Sequence, residues 1–373
     1  MSLSNRITVL AGAGLCKDAG LPTSVELACK LQETLVQAAT TASRIVPSWN
    51  SDLAKLNLAT CRFLNGGIRF QKAILGNDPD EPVNIEQIAV AAQELQKRSE
   101  NPLSPYASGW HARIVELERE SPELLATFVD FIYSQLDRWL TLTDDNIRSL
   151  HYIRNLFEIC NEGCGVDVFS LNYDLCIETA LTQYAKKQFS NGFTETGGWE
   201  PQTLSENFPV RLFKLHGSLD WIEDQAYGLC SLQFPRHKQA ENIEGDDIRP
   251  LLIFGTAHKL SPREPFHTMT YLFSQRVLST TILAIIGYSF GDEHVNQIIR
   301  QGIEKNSKLR VLVVGPHAKH HIEAISFLQG RTPRVTDLNL KAEEALTKGD
   351  FLKALRALLE RASNEEPFTD PVT

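Results

Sequence analysis

Short apolar runs, each stopped by glycine, asparagine or histidine, alternate along this chain with longer stretches of helical periodicity. Ile7-Thr8-Val9-Leu10 is β-branched, apolar and followed by glycine, which predicts a short buried strand. The same reasoning predicts strands over 6–10, 166–171, 211–215, 251–254, 281–287 and 310–314. Several are near-continuous apolar runs, as in a parallel sheet covered on both faces. Arg310-Val311-Leu312-Val313-Val314 before Gly315-Pro316 is the clearest last strand. The class is therefore α/β, with a parallel sheet of about six strands and a large helical insertion.

That insertion spans 31–165 and reads as helical almost throughout. Ser121-Pro122 is an N-cap followed by proline at the first helical position. Leu125, Phe128, Val129, Ile132, Leu136, Trp139 and Leu140 then recur at helical spacing, the mark of a core-facing stripe. Asn77–Pro82 interrupts the pattern and predicts an exposed loop. Residues 223–250 form a polar connection with no strand pattern. Asp350 reads as an N-cap for an amphipathic helix from Phe351 through Leu359.

In a parallel α/β sheet the carboxyl ends of the strands share one edge, where ligands bind. Gly12 and Gly14 follow the first strand at once. Glycine allows the tight turn and lets a phosphate approach the backbone. Thr23-Ser24-Val25-Glu26 then forms a capping box opening a helix through Leu27, Leu31 and Leu35. The spacing departs from the dinucleotide fingerprint, because the third glycine position holds Lys17. No G-K-[ST] follows, so it is no P-loop either. A strand, a glycine turn and a helix start still make an anion site for a phosphate, and a turn needed only for packing is the alternative.

The other strand ends carry polar groups. Ser170-Leu171 stops at Asn172-Tyr173-Asp174, where Asp174 is either a site carboxylate or a helix cap. Lys214-Leu215 leads into His216-Gly217; imidazole suits proton transfer near neutral pH. Ile285-Ile286 ends at Gly287-Tyr288-Ser289-Phe290-Gly291-Asp292, a second glycine-flanked turn fit for the other half of a dinucleotide. Asp292 reads as the cap of the helix that follows, with Glu293 and His294 in its first turn, facing solvent.

These stretches together resemble the sirtuins, and specifically the sirtuin-like NAD-consuming effectors of bacterial antiphage defence, including those of HerA-associated systems. The resemblance rests on Gly12-Ala13-Gly14 with Ala19-Gly20-Leu21-Pro22, on Asn172-Tyr173-Asp174, on His216-Gly217 and on Gly287 through Asp292. It covers 5–30 and 165–317. It implies a Rossmann-like NAD-binding domain from 1–30 and 165–330, a helical insertion domain at 31–164 and a C-terminal helical tail at 331–373. It further implies NAD contacts from Ala11, Gly12, Ala13, Gly14, Cys16, Gly20, Pro22, Asn172, Gly287, Tyr288, Ser289 and Phe290, and catalysis by Asn172, Asp174 and His216. Cys16 stands where sirtuins carry a serine. Tyr173 stands where the protein deacylases favour an aliphatic residue. Protein-deacylating sirtuins carry a four-cysteine zinc ribbon after the catalytic histidine. Here Cys16, Cys29, Cys61, Cys160, Cys164, Cys176 and Cys230 contain no CxxC pair, and only Cys230 follows His216. No structural zinc is expected.

Composition changes the picture in two places. A net charge of −9 over 373 residues argues against broad nucleic-acid affinity. Seven scattered cysteines, with no signal peptide and no long apolar run, predict a reduced, cytoplasmic protein without a membrane anchor.

The expected activity is NAD hydrolysis to nicotinamide and ADP-ribose, in which the cationic pyridinium leaves as a neutral ring through an oxocarbenium-like transition state. Asp174 would supply negative charge or bind a ribose hydroxyl, Asn172 would hold the water and ribose, and His216 would act as base. Because unchecked NAD loss would poison the cell, control is expected from homo-oligomerisation or a separate subunit; the resemblance implies a HerA-like ATPase. The helical block is expected over the nucleotide edge, as a lid or an assembly surface. A sirtuin-type deacylase or ADP-ribosyltransferase, and a non-catalytic NAD or ADP-ribose-binding subunit, are the competing classes. A metallohydrolase built on His258, His267, His294, His317, His320 and His321 lacks H-E-x-x-H spacing.

Overall fold

The computed structural model describes residues 6–45, 49–98, 105–204, 207–224, 228–232, 249–254, 263–331 and 334–364. The chain divides into two compact units, one made of Met1–Leu21 with Thr141–Thr373 and the other of Pro22–Leu140.

The first unit is built on a parallel sheet. In chain order the strands are β1 (Arg6–Ala11), β2 (Gly165–Ser170), β3 (Phe189–Ser190), β4 (Val210–Lys214), β5 (Trp221–Asp224), β6 (Gly228–Ser231), β7 (Ile282–Ile286), β8 (Arg310–Val314) and β9 (Val335–Leu338). Seven of them form one sheet in the order β3-β4-β2-β1-β7-β8-β9. Every pairing in it is parallel. Strands β2, β4, β7 and β8 are buried at every position. Their side chains alternate between two cores. Ile7, Val9, Val166, Val168, Val210 and Leu212 pack on one face, and Leu10, Phe169, Phe213, Leu283 and Ile285 on the other. Both faces being covered is why these strands read as near-continuous apolar runs.

The strand order reverses at β1, with β2 on one side and β7 on the other. This is the topological switch point, where the crevice at the carboxyl ends of the strands receives ligands in sheets of this kind.

Leu251–Phe254 is no strand of this sheet. Leu252 makes an isolated antiparallel bridge to Gly217, Leu251 N–H donates to Trp221 O at 2.7 Å and Ile253 N–H to His216 O at 2.9 Å. The apolar run is buried because it lines the turn after β4. The hairpin β5–β6 occupies part of the polar connection expected to lack strands. Residues 225–227 and 233–248 of that connection, and His258, lie outside the described residues.

Helices Asp144–Ser149 and Leu150–Glu162 belong to the sheet unit, not with the helices before Leu140. Leu150, Ile153, Leu156 and Phe157 join the core under β1 and β2. Asn146 Nδ2 donates to Ala19 O at 2.8 Å. The terminal helix Asp350–Asn364 buries Phe351, Leu355 and Leu358 in the same core; Asp350 is its first helical residue.

The second unit is helical, with helices Ser24–Ile45, Ser51–Ile74, Ile85–Gln96, Pro105–Glu118 and Leu124–Leu140. The Thr23/Glu26 capping box forms, Thr23 N–H donating to Glu26 Oε2 at 2.9 Å. The stripe Leu125, Phe128, Val129, Ile132, Leu136 and Leu140 is buried. Asn77 to Pro82 is an exposed turn. Among the described residues, no helix in either unit is long and apolar enough to cross a membrane.

Candidate active site

The glycines at the switch point answer to steric contact between two turns. Gly12 N–H donates to Ile286 O and Gly14 N–H to Gly287 O, both at 2.9 Å. A Cβ on Gly12 would stand 2.6 Å from Gly287 O, and one on Gly14 2.7 Å from Gly287 Cα. Gly287 itself has φ +64° and would place a Cβ 2.3 Å from Leu15 N. The turns after β1 and β7 therefore meet backbone to backbone, which only glycine permits. The amides of Gly12 and Gly14 are spent on the end of β7 and the turn after it. Ala11 ends β1, and Ala13 is half-buried between the two glycines. Gly20, at φ +89°, turns the chain out of this region, and Pro22 opens the other compact unit.

The turn after β7 is braced from within. Tyr288 Oη accepts from Asp292 N–H and lies 3.0 Å from both Asp292 O and Asn296 Oδ1. Asn296 Nδ2 donates to Phe290 O at 2.8 Å. This lets buried Phe290 hold φ +59°, a left-handed conformation rare for an aromatic residue. Ser289 is exposed.

Asn172 and Asp174 reach from the end of β2 toward the β1 turn. Asn172 Nδ2 lies 3.2 Å from Gly12 O and 3.5 Å from Cys16 Sγ. Asp174 Oδ1 accepts Cys176 N–H at 3.0 Å and the Cys16 thiol at 3.6 Å. Asp174 is thus a turn cap and also a neighbour of Cys16. Lys214 at the end of β4 is buried beneath them; its ammonium donates to Asp174 O and lies 3.3 Å from Glu178. Burial pushes the Glu178 carboxyl up to about 7, although Lys214 pulls it down. A lysine inside an apolar strand was the visible signal for this pair, and Glu178 carried none.

His216 follows β4 and is buried. Its Nε2 lies 2.9 Å from Asp292 Oδ2, with both side chains about 5% exposed. Asp292 Oδ1 meanwhile accepts from His294 N–H at 3.0 Å and Val295 N–H at 3.4 Å, capping helix Glu293–Lys305. One carboxylate therefore holds a helix terminus and an imidazole. The cap was legible in the sequence; the partnership with His216 was not. With Nε2 donating to Asp292, neutral His216 keeps the lone pair on Nδ1, which has no hydrogen-bond partner among the described residues. Tyr173 links the two strand ends: its hydroxyl donates to Ile253 O at 2.9 Å and its ring lies 6.5 Å from that of His216. A cavity of about 20 Å³ touches His216, Asp292, Thr270 and Phe273, room for one water and far below a nucleotide.

Among the described residues no group of histidines converges as metal ligands; the Cys/His/Asp/Glu group that does is Cys16, Asp174 and Cys176. Glu293 is exposed and His294 half-buried, neither in such a group. The zinc-ribbon ligand set does not fit, since Cys230 is the single cysteine after His216.

Residues 166–336 match a protein family described as the SIR2-like domain. This span contains Asn172, Asp174, His216 and Asp292 and leaves out the Gly12–Gly14 turn. No curated protein matches the chain in sequence. Among solved structures, a Sir2 homologue mutant in complex with 2'-O-acetyl ADP ribose is similar at 12% identity and TM-score 0.40, over 96% of this chain and 95% of that one. A Sir2–p53 peptide–NAD+ complex is similar at 13% identity and TM-score 0.33, over 65% of this chain and 82% of that one.

Proposed function

We propose that this site hydrolyses the nicotinamide–ribose bond of NAD, with water as acceptor. The observation that supports it is the convergence of the β2, β4 and β7 ends, within the SIR2-like span, with the end of β1, and with His216 oriented by Asp292 and its Nδ1 unpartnered among the described residues. In this reading Nδ1 takes the proton of the attacking water or of a ribose hydroxyl. Asn172, with Nδ2 engaged on Gly12 O, offers Oδ1 to the ribose or the water. Asp174 lends negative charge as the ribose becomes oxocarbenium-like. Water adds at the anomeric carbon, the electron pair of the broken C–N bond returns to the pyridinium, and nicotinamide leaves neutral. A role as a cytoplasmic defence effector, oligomeric or controlled by a HerA-like ATPase, extends this proposal; its support is the Asn172-Tyr173-Asp174 pattern alone.

Chromatography after incubation with NAD, with and without acylated peptide, tests the reading. Nicotinamide with ADP-ribose is expected, and its loss in His216→Ala and Asn172→Ala. Acyl-ADP-ribose would reassign the chain as a deacylase. Bound NAD with no product would make it a binding subunit.

A further inference from the structure

Cys16, Asp174 and Cys176 are buried, and one ligand atom from each lies within 4.8 Å of the other two. Cys16 belongs to the short helix Gly14–Lys17, while Asp174 and Cys176 flank the turn after β2. In sequence the two thiols are far apart and form no metal-binding spacing; the fold alone joins them. A tetrahedral ion with metal–sulfur bonds of about 2.3 Å and metal–oxygen bonds of about 2.0 Å separates its sulfur and oxygen ligands by about 3.5 Å. Cys16 Sγ and Asp174 Oδ1 stand 3.6 Å apart.

The charges also fit. Two thiolates and a carboxylate around a divalent cation carry one net negative charge. The Lys214 ammonium, bonded to Asp174 O, lies beside them. Asn172 Nδ2, 3.5 Å from Cys16 Sγ, is a donor suited to a thiolate. Two sulfurs select a thiophilic ion over magnesium or calcium. Uptake balances as one divalent cation exchanged for two thiol protons.

We propose that Cys16, Asp174 and Cys176 bind one thiophilic divalent cation of the zinc or cadmium class, and that its binding disables the site. The ion would engage the Asp174 carboxylate and the Cys16 sulfur that neighbours Asn172. The disabling role rests on the proposed NAD cleavage; the binding does not.

Cadmium titration of the reduced full chain, read by thiolate-to-cadmium charge-transfer absorption, should show a band saturating at one equivalent. Cys16→Ser and Cys176→Ser should lose it, while Cys29→Ser, which removes an exposed thiol, should keep it. X-ray absorption of the zinc-loaded wild type needs no variant and should show two sulfur ligands. A full band in Cys176→Ser, or a zinc shell without sulfur, would overturn the site. No NAD is present in these measurements, so they stand or fall apart from the cleavage. Nicotinamide release should fall as the site fills; an unchanged rate at full occupancy would overturn the disabling role.

Discussion

His216 and Asp292, 76 positions apart in the chain, form a buried pair with Nε2 and Oδ2 separated by 2.9 Å. The same carboxylate caps helix Glu293–Lys305, so the imidazole is anchored to a rigid element rather than to a loop side chain. Asp292 touches no proposed reacting atom. In the proposed mechanism it is a positioning residue, whose effect would pass through the tautomer of His216.

Asp292→Asn separates the two duties. Asparagine caps helices about as well as aspartate, so thermal stability should change by less than about 1 kcal/mol. If its amide turns toward Nε2, that nitrogen must accept, and the proton moves to Nδ1. The base is then lost, and kcat for nicotinamide release should fall ~10²–10⁴-fold with KM little changed. An unchanged kcat in a folded variant would remove Asp292 from the mechanism.

The contact between the β1 and β7 turns is tested by adding single methyl groups. Gly12→Ala places a Cβ 2.6 Å from a backbone oxygen that has no room to yield. Overpacking of this kind costs about 1–3 kcal/mol in denaturant unfolding. Gly287→Ala should be worse, because its left-handed conformation adds about 1–3 kcal/mol. Gly315→Ala, with nothing within 4 Å, is the control and should be near neutral. Equal stability of all three would mean that the turns do not touch.

What the sequence revealed divides along the line between local and distant causes. Strands β1, β2, β4, β7 and β8 announced themselves because burial on both faces leaves a near-continuous apolar run. Strand β9 did not: Thr336 and Asp337 break its pattern at an edge. Leu251–Phe254 gave a strand signal from burial alone, while its hydrogen bonds go to Trp221 and His216. Asn172, Asp174 and His216 were visible because each ends a strand. Lys214, Glu178 and the second duty of Asp292 depend on partners brought near only by the folded sheet.

Asp167 in β2 gives the fold a defined acid limit. It is fully buried and meets Arg6 at 2.8 Å, Arg211 at 2.7 Å and Arg276 at 2.8 Å. Burial alone would raise its pKa, but the hydrogen bonds and charges of Arg211 and Arg6 outweigh that and hold it below 3.8. A carboxylate depressed in the folded state contributes stability that is present above its unfolded value and lost as pH falls through the folded one. Unfolding free energy from this group should therefore be level from pH 7 to about 5 and decline below about 4. Asp167→Asn should lower stability by about 3–5 kcal/mol at neutral pH, since it leaves buried guanidinium groups without their counter-charge. The difference between wild type and variant should shrink as the wild type is acidified. Denaturant unfolding at stepped pH measures both, and a difference constant down to pH 3 would show that the three arginines do not depend on the Asp167 charge.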